Sequence, residues 1–92
     1  MSIRIGIIGA GGMTNYHIPG FIAGGAEVVA IADVNQAAAK RVAEKFNIPA
    51  VYDSVAKMIK SAKLDAVSVV TPNKFHKPLA MQALAAGLHV FC

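Results

Sequence analysis

The chain has 92 residues, 55% of them hydrophobic and 15% charged, with a formal net charge of +4. So short a chain makes one domain, and so apolar a chain is not disordered, because disordered segments are poor in apolar residues and rich in charge. The apolar share is high for a free-standing domain of this size, which points to surfaces meant to be covered and to a piece of something larger.

In chain order, Ile3–Ile8 predicts the first strand and leads straight into a glycine-rich turn. Met13–Ala23 predicts a weak helix, in which Pro19 removes one ladder hydrogen bond and demands a kink or a late start. Gly24-Gly25 reads as a turn, and Glu27–Ala32 as the second strand. Gln36–Phe46 is an amphipathic helix with Asn35 as N-cap and Ala38, Val42 and Phe46 facing inward. After Pro49, Val51-Tyr52 makes at most a very short strand. Ser54–Ala62 is a shorter helix, capped by Ser54, with Val55, Met58, Ile59 and Ala62 inward. Ala66–Thr71 is a further strand, followed by a helix over Lys77–Ala86 that buries Leu79, Ala80, Ala83 and Leu84. Gly87 sits where a left-handed residue ends that helix, and Leu88–Phe91 is the last strand.

The longer strands are short, β-branched and nearly continuous in apolar residues, as strands covered by helices on both faces are. Strands and helices alternate, and right-handed crossovers then give a doubly wound, parallel α/β sheet.

Several function classes fall away. Lys40, Arg41, Lys45, Lys57, Lys60 and Lys63 are scattered along helix exteriors and are not interleaved with aromatic residues, so a nucleic-acid surface is not expected. From Ile5 to Ala26 no Asp, Glu, Lys or Arg occurs, yet the glycines, Pro19 and the polar run Thr14–His17 make a poor membrane span. The apolar run Ile5–Ile8 is too short for a signal peptide. Cys92 is the single cysteine and forms no internal disulfide, which fits a reducing, cytoplasmic location; with nothing electropositive beside it, it reads as inert packing. No Cys/His cluster has metal-ligand spacing, so no metal is expected.

The first strand runs into Gly9-Ala10-Gly11-Gly12-Met13-Thr14, a G-x-G-x-x-G pattern with Thr14 in the third glycine position. Gly9 permits a sharp exit from the strand, and Gly11 lets a pyrophosphate approach the backbone. The N–H groups near Gly12 and Met13 open a helix, where unpaired donors and the dipole favour an anion. Thr14 is small but β-branched, which loosens the packing of helix on strand without abolishing binding. Asp33 ends the second strand 19 positions after Thr14, close to the spacing expected of a carboxylate that accepts both hydroxyls of a ribose. A 2′-phosphate there would meet like charge, so NAD is favoured over NADP, with Lys40 or Arg41 able to soften that preference. The competing use of Asp33 is as a simple cap on the following helix.

Thr71-Pro72-Asn73-Lys74-Phe75-His76 follows a strand, where the loop lines the nicotinamide half of a crevice at the carboxyl ends of the strands. Pro72 holds the backbone extended and Asn73 offers a donor and an acceptor. His76 either contacts ligand or packs at the helix entrance. His17 and His89 read as structural.

With these residues in hand, the whole chain resembles the amino-terminal half of the Gfo/Idh/MocA oxidoreductase family, named for glucose–fructose oxidoreductase and inositol dehydrogenase. The resemblance rests on Ile5–Met13, Ala30–Asp33, Val69–Asn73 with His76, and Ala85–Cys92. It implies a Rossmann domain in which the dinucleotide lies over the glycine turn, Asp33 holds the adenosine ribose and Thr71–Asn73 approach the nicotinamide. Family members usually continue from the position of Cys92 into Glu-Lys-Pro, whose lysine serves in the active site, and then into a second, mostly β domain that supplies substrate groups. Residues 1–92 are therefore expected to be a dinucleotide-binding domain without its substrate domain, with no catalytic residue of its own. Hydride transfer between the cofactor and a sugar or polyol is implied for a longer parent only.

Two other classes remain open. One is a module whose NAD occupancy alters association with a partner; the cut sheet edge and an uncovered apolar face favour a homo-oligomer. The other is a methyltransferase-like domain, which also uses a glycine turn and an acid after the second strand, but Thr71–His76 favours NAD over S-adenosylmethionine.

Overall fold

The computed structural model describes residues 3–9, 14–70, 78 and 81–91. Its elements are β1 (Arg4–Ile8), α1 (Thr14–Ala23), β2 (Glu27–Ala32), α2 (Gln36–Phe46), β3 (Ala50–Tyr52), α3 (Val55–Ser61), β4 (Ala66–Val69) and β5 (His89–Phe91), with residues 81–85 helical before β5. The strands form one five-stranded sheet in the order β3-β2-β1-β4-β5, and every pairing is parallel. This is the doubly wound α/β sheet expected from the alternation of apolar runs.

Each face of the sheet has its own core. Ile5 and Ile7 of β1, Ile31 of β2 and Ala66 of β4 pack with Ile18 of α1 and Ala39 and Ala43 of α2. The alternate residues Ile8, Ala30, Ala32, Val67 and Val69 pack on the other face with Met58 of α3 and Ala83. Side chains alternate between faces along a strand, so a sheet buried on both sides needs apolar residues at every position. Gly6 serves the α3 face: a Cβ there would lie 2.8 Å from Leu64 Cδ1 and 3.0 Å from Met58 Cε and Sδ. Its missing side chain is the space that Met58 and Leu64 fill.

Local chemistry sets the boundaries. Asn35 Oδ1 accepts Ala38 N–H at 3.1 Å and Ser54 Oγ accepts Lys57 N–H at 3.2 Å, so both expected N-caps are in place. Gly87, at φ 81°, ends the helix before β5, and Leu88 N–H returns to Ala83 O at 3.1 Å. Helix α1 starts at Thr14 and runs through Pro19, so the proline does not delay its start.

Two packing expectations are corrected. In α2 the fully buried residues are Ala39 and Ala43; Val42 and Phe46 pack against the same core as expected but are only partly buried, and Ala38 is partly buried too. Alanine sits where helix and sheet approach most closely, and the larger side chains flank that line. Leu84 was expected inward but is 56% exposed; its neighbour Ala83 makes the contact, and one step along a helix turns the next side chain about 100° away. Leu79 and Ala80 lie outside the described residues.

At the amino ends of the strands, Arg4 N–H donates to Asp65 Oδ2 at 2.9 Å and Arg4 Nε to Lys63 O at 2.6 Å, with Glu27 Oε2 3.7 Å from Arg4 Nη1. These contacts join the beginnings of β1, β2 and β4.

Ser68 in β4 is 1% exposed, and its Oγ meets no hydrogen-bond partner among the described residues. A buried hydroxyl without a partner costs more than the methyl group that would replace it. Ser68→Ala is therefore expected to raise the unfolding free energy by about 1 kcal/mol in urea titrations at unchanged slope; a loss of stability instead would mean that the hydroxyl is bonded.

Candidate dinucleotide site

The central strands end together at Gly9. Its N–H donates to Ala32 O at 2.8 Å, and Val70 N–H donates to Ile8 O at 2.8 Å, so β1 is bonded to the last turn of chain on both neighbours. Register brings this about. The pairing of β1 with β2 shifts between Ile5 and Gly6 and then holds Ile8 opposite Ala32, while β4 holds Val69 opposite Ile8. Gly9 has φ 99°, a conformation that residues with a Cβ rarely adopt, and it turns the chain out of the sheet toward α1.

The same point is where the strand order reverses. From β1 the chain winds outward through β2 and β3, then crosses back to β4 and β5 on the other side. Such a switch opens a crevice outside the carboxyl ends of the strands, the usual ligand position in open α/β sheets. Helix α1 begins there at Thr14 and has no acidic residue in its first turn, so its own side chains do not offset the positive end of its dipole. Gly11, Gly12 and Met13 lie outside the described residues, as do Thr71, Pro72, Asn73 and His76.

Asp33 is the first residue beyond β2, one residue past the Ala32 carbonyl that binds Gly9. Its N–H donates to Tyr52 O at 3.2 Å, at the end of β3. Its Oδ1 accepts Asn35 N–H at 2.9 Å, a tight side-chain turn that aims the carboxylate before the helix begins. The cap on α2 is Asn35 itself, so Asp33 does not serve as that cap. A carboxylate accepts about four hydrogen bonds, of which the Asn35 N–H supplies one.

Two neighbours were not singled out by the sequence. Val34, beside Asp33, is 89% exposed and offers a branched apolar surface to solvent. Gln36 Nε2 donates to both Asp33 O, at 2.6 Å, and Tyr52 O, at 2.9 Å. The available signal was an amide side chain placed three residues after the strand-terminal acid, within reach of the carbonyls it has to satisfy.

Other features lie elsewhere. A shallow depression of about 410 Å³, lined by Lys40, Ala43, Glu44, Asn47, Ile48, Pro49 and Val51, sits at the carboxyl end of α2, where β3 begins, away from Gly9 and Asp33. The described residues contain no group of three His, Cys, Asp or Glu side chains that could hold a metal ion. No described helix is long and apolar enough to cross a membrane.

Known proteins are similar to this chain in sequence and fold. Residues 3–92 match the Gfo/Idh/MocA family model, described as an oxidoreductase family with an NAD-binding Rossmann fold. D-glucoside 3-dehydrogenase of Escherichia coli strain K12 is 37% identical over 98% of this chain and 26% of its own length. Inositol 2-dehydrogenase of Azotobacter vinelandii is 36% identical over 100% of this chain and 28% of its own. Among solved structures, scyllo-inositol dehydrogenase from Lactobacillus casei, crystallised with NAD(H) and scyllo-inositol, superposes with a TM-score of 0.88 at 29% identity, covering 98% of this chain and 27% of that one. The chain thus spans about a quarter of the length of these relatives. A parallel sheet with a positive-φ glycine at its switch point, a carboxylate ending the neighbouring strand and a match along nearly the whole chain have one common meaning: the chain belongs to the Gfo/Idh/MocA oxidoreductases, as their NAD-binding Rossmann domain.

Proposed function

We propose that these residues form the cofactor-holding part of a dehydrogenase that moves a hydride between NAD and a sugar, polyol or related alcohol. The observation that carries the reading is the shared level of Gly9 and Asp33, joined through the Gly9 N–H to Ala32 O bond. The donor set suits the group. Gly9 turns the chain without a Cβ, and Gly11, Gly12 and Met13 would give main-chain N–H groups to the pyrophosphate. The Asp33 carboxylate would accept the adenosine ribose hydroxyls, and Val34 would lie against the base. Thr71, Pro72, Asn73 and His76 would line the nicotinamide side. Bound there, NAD would supply the hydride acceptor, while the protein binds and orients it.

Cofactor choice follows from charge. The Asp33 carboxylate would accept hydrogen bonds from ribose hydroxyls but repel a 2′-phosphate, so NAD is preferred over NADP. The alcohol substrate belongs to the proposal through the dehydrogenases to which the chain is similar. A cytoplasmic setting is part of the same reading and rests on the single cysteine of the sequence.

Asp33→Asn is expected to weaken NAD binding at least about tenfold, since hydrogen bonds to a charged group contribute roughly 1.5–3 kcal/mol. It should also narrow the gap between NAD and NADP. Calorimetric titration checks both; unchanged affinity for both cofactors would remove Asp33 from the site.

A homo-oligomer is a second reading, favoured by Met81 and Leu84, which are 59% and 56% exposed on the helical residues before the edge strand β5. Sedimentation with and without NAD separates its forms. A module that senses NAD changes its association state with ligand; a chain that only holds the cofactor sediments the same in both conditions.

A further inference from the structure

The main chain at Asp33 is held by a side chain to which the cofactor reading gives no task. Gln36 is the first residue of α2, and its partly buried Nε2 donates to Asp33 O at 2.6 Å and Tyr52 O at 2.9 Å. Tyr52 O also accepts Asp33 N–H at 3.2 Å. A primary amide carries two donor hydrogens and a carbonyl oxygen has two lone pairs, so the three bonds coexist. Together they close a ring through Asp33 N–H, Tyr52 O, Gln36 Nε2 and Asp33 O. The peptide groups on both sides of the Asp33 Cα are thereby fixed.

The surrounding sheet gives this ring its importance. β3 is an edge strand of three residues, and its pairing with β2 covers only Ala30–Ala32 against Ala50–Tyr52. The bond from Asp33 N–H to Tyr52 O is the last between these two stretches of chain and lies at the long end of the normal range. With Gln36, two shorter bonds from a half-buried amide tie the end of β2 to the end of β3.

We infer that Gln36 is a positioning residue for ribose recognition: by fixing the Asp33 carbonyl against the end of β3, it sets the direction of the Asp33 Cα–Cβ bond and hence where the carboxylate meets the adenosine ribose. The inference rests on the ribose reading of Asp33 given above. Gln36 touches no part of the cofactor in this arrangement. Its effect reaches the ligand through geometry alone, so its loss leaves the charge of Asp33 intact and blunts only the directional part of recognition.

The test compares NAD with an NAD lacking the adenosine 2′-hydroxyl, by calorimetric titration of the 92-residue chain and of Gln36→Met, Gln36→Glu and Asp33→Asn. In the parent chain, deleting the hydroxyl is expected to cost about tenfold in affinity, as loss of one hydrogen bond to a carboxylate does. In Gln36→Met that penalty is expected to fall to about twofold, because a misdirected carboxylate no longer makes the full bond. Gln36→Glu keeps the shape and, as a carboxylate, donates nothing to the two carbonyls, so it gives the same answer should the methionine variant fold poorly. The ratio of the two affinities is measured on one sample and does not depend on the folded fraction. A Gln36 that only stabilised the fold would leave the ratio at its parent value in both variants, and that result overturns the inference. A parent chain with no penalty, matched by Asp33→Asn, would instead overturn the ribose reading itself.

Discussion

One hydrogen bond organises the ligand end of this molecule: Gly9 N–H to Ala32 O, at 2.8 Å, between the residue that leaves β1 and the last residue of β2. It requires that the two strands finish at the same level. That level is set by the register that holds Ile8 opposite Ala32 after the irregularity near Gly6. Given this bond, Gly9 and Asp33 lie at the same end of the sheet, where the cofactor is proposed to bind. A slip of a single residue would carry Asp33 away from the turn and would exchange the two faces of β2. Diphosphate and ribose are fixed parts of one molecule, so the groups that bind them must be held at a fixed spacing.

The core serves that spacing. Both faces of the sheet are covered, with Ile5 and Ile7 on one side and Ile8 on the other, and shape fixes β1 between them, since only Gly6 leaves room for Met58 and Leu64. At the amino ends, Arg4 joins β1 to the chain before β4 through Asp65 and Lys63, and lies near Glu27 of β2. The pair Arg4–Glu27 is half-exposed, so its electrostatic worth is small; the bonds to Asp65 and Lys63 give direction more than energy. The result is a sheet whose beginning is tied by side chains and whose end is the proposed cofactor site.

Much of this was legible in the sequence, for a physical reason. Strands buried on both faces cannot hide their apolar character, and Glu27–Ala32 and Gln36–Phe46 have the bounds that their patterns and the Asn35 cap imply. Gly9 was legible because a chain leaving a strand at positive φ favours glycine, and Asp33 because an acid directly after a strand stands out in an apolar run. The finer packing was not. Ala37, Ala38, Ala39 and Ala43 all suit a helix, and only the sheet's curvature and approach decide which pair is innermost. Leu84 has the hydropathy of a core residue, and its exposure depends on what lies next to that helix. Gln36 was hidden for another reason: one of its partners, Tyr52 O, lies 16 residues away and comes within reach only when β3 pairs with β2.

The central claim is that ligand binds at the carboxyl ends of the strands, over Gly9 and beside Asp33. Backbone amide shifts in solution, followed residue by residue during titration with NAD, test it most directly. The account predicts that the largest changes fall at Gly9, Asp33 and Asn35, while Glu27 and Asp65 at the amino ends stay in place. Changes centred instead on Lys40, Glu44 and Ile48, with Gly9 and Asp33 unmoved, would contradict it.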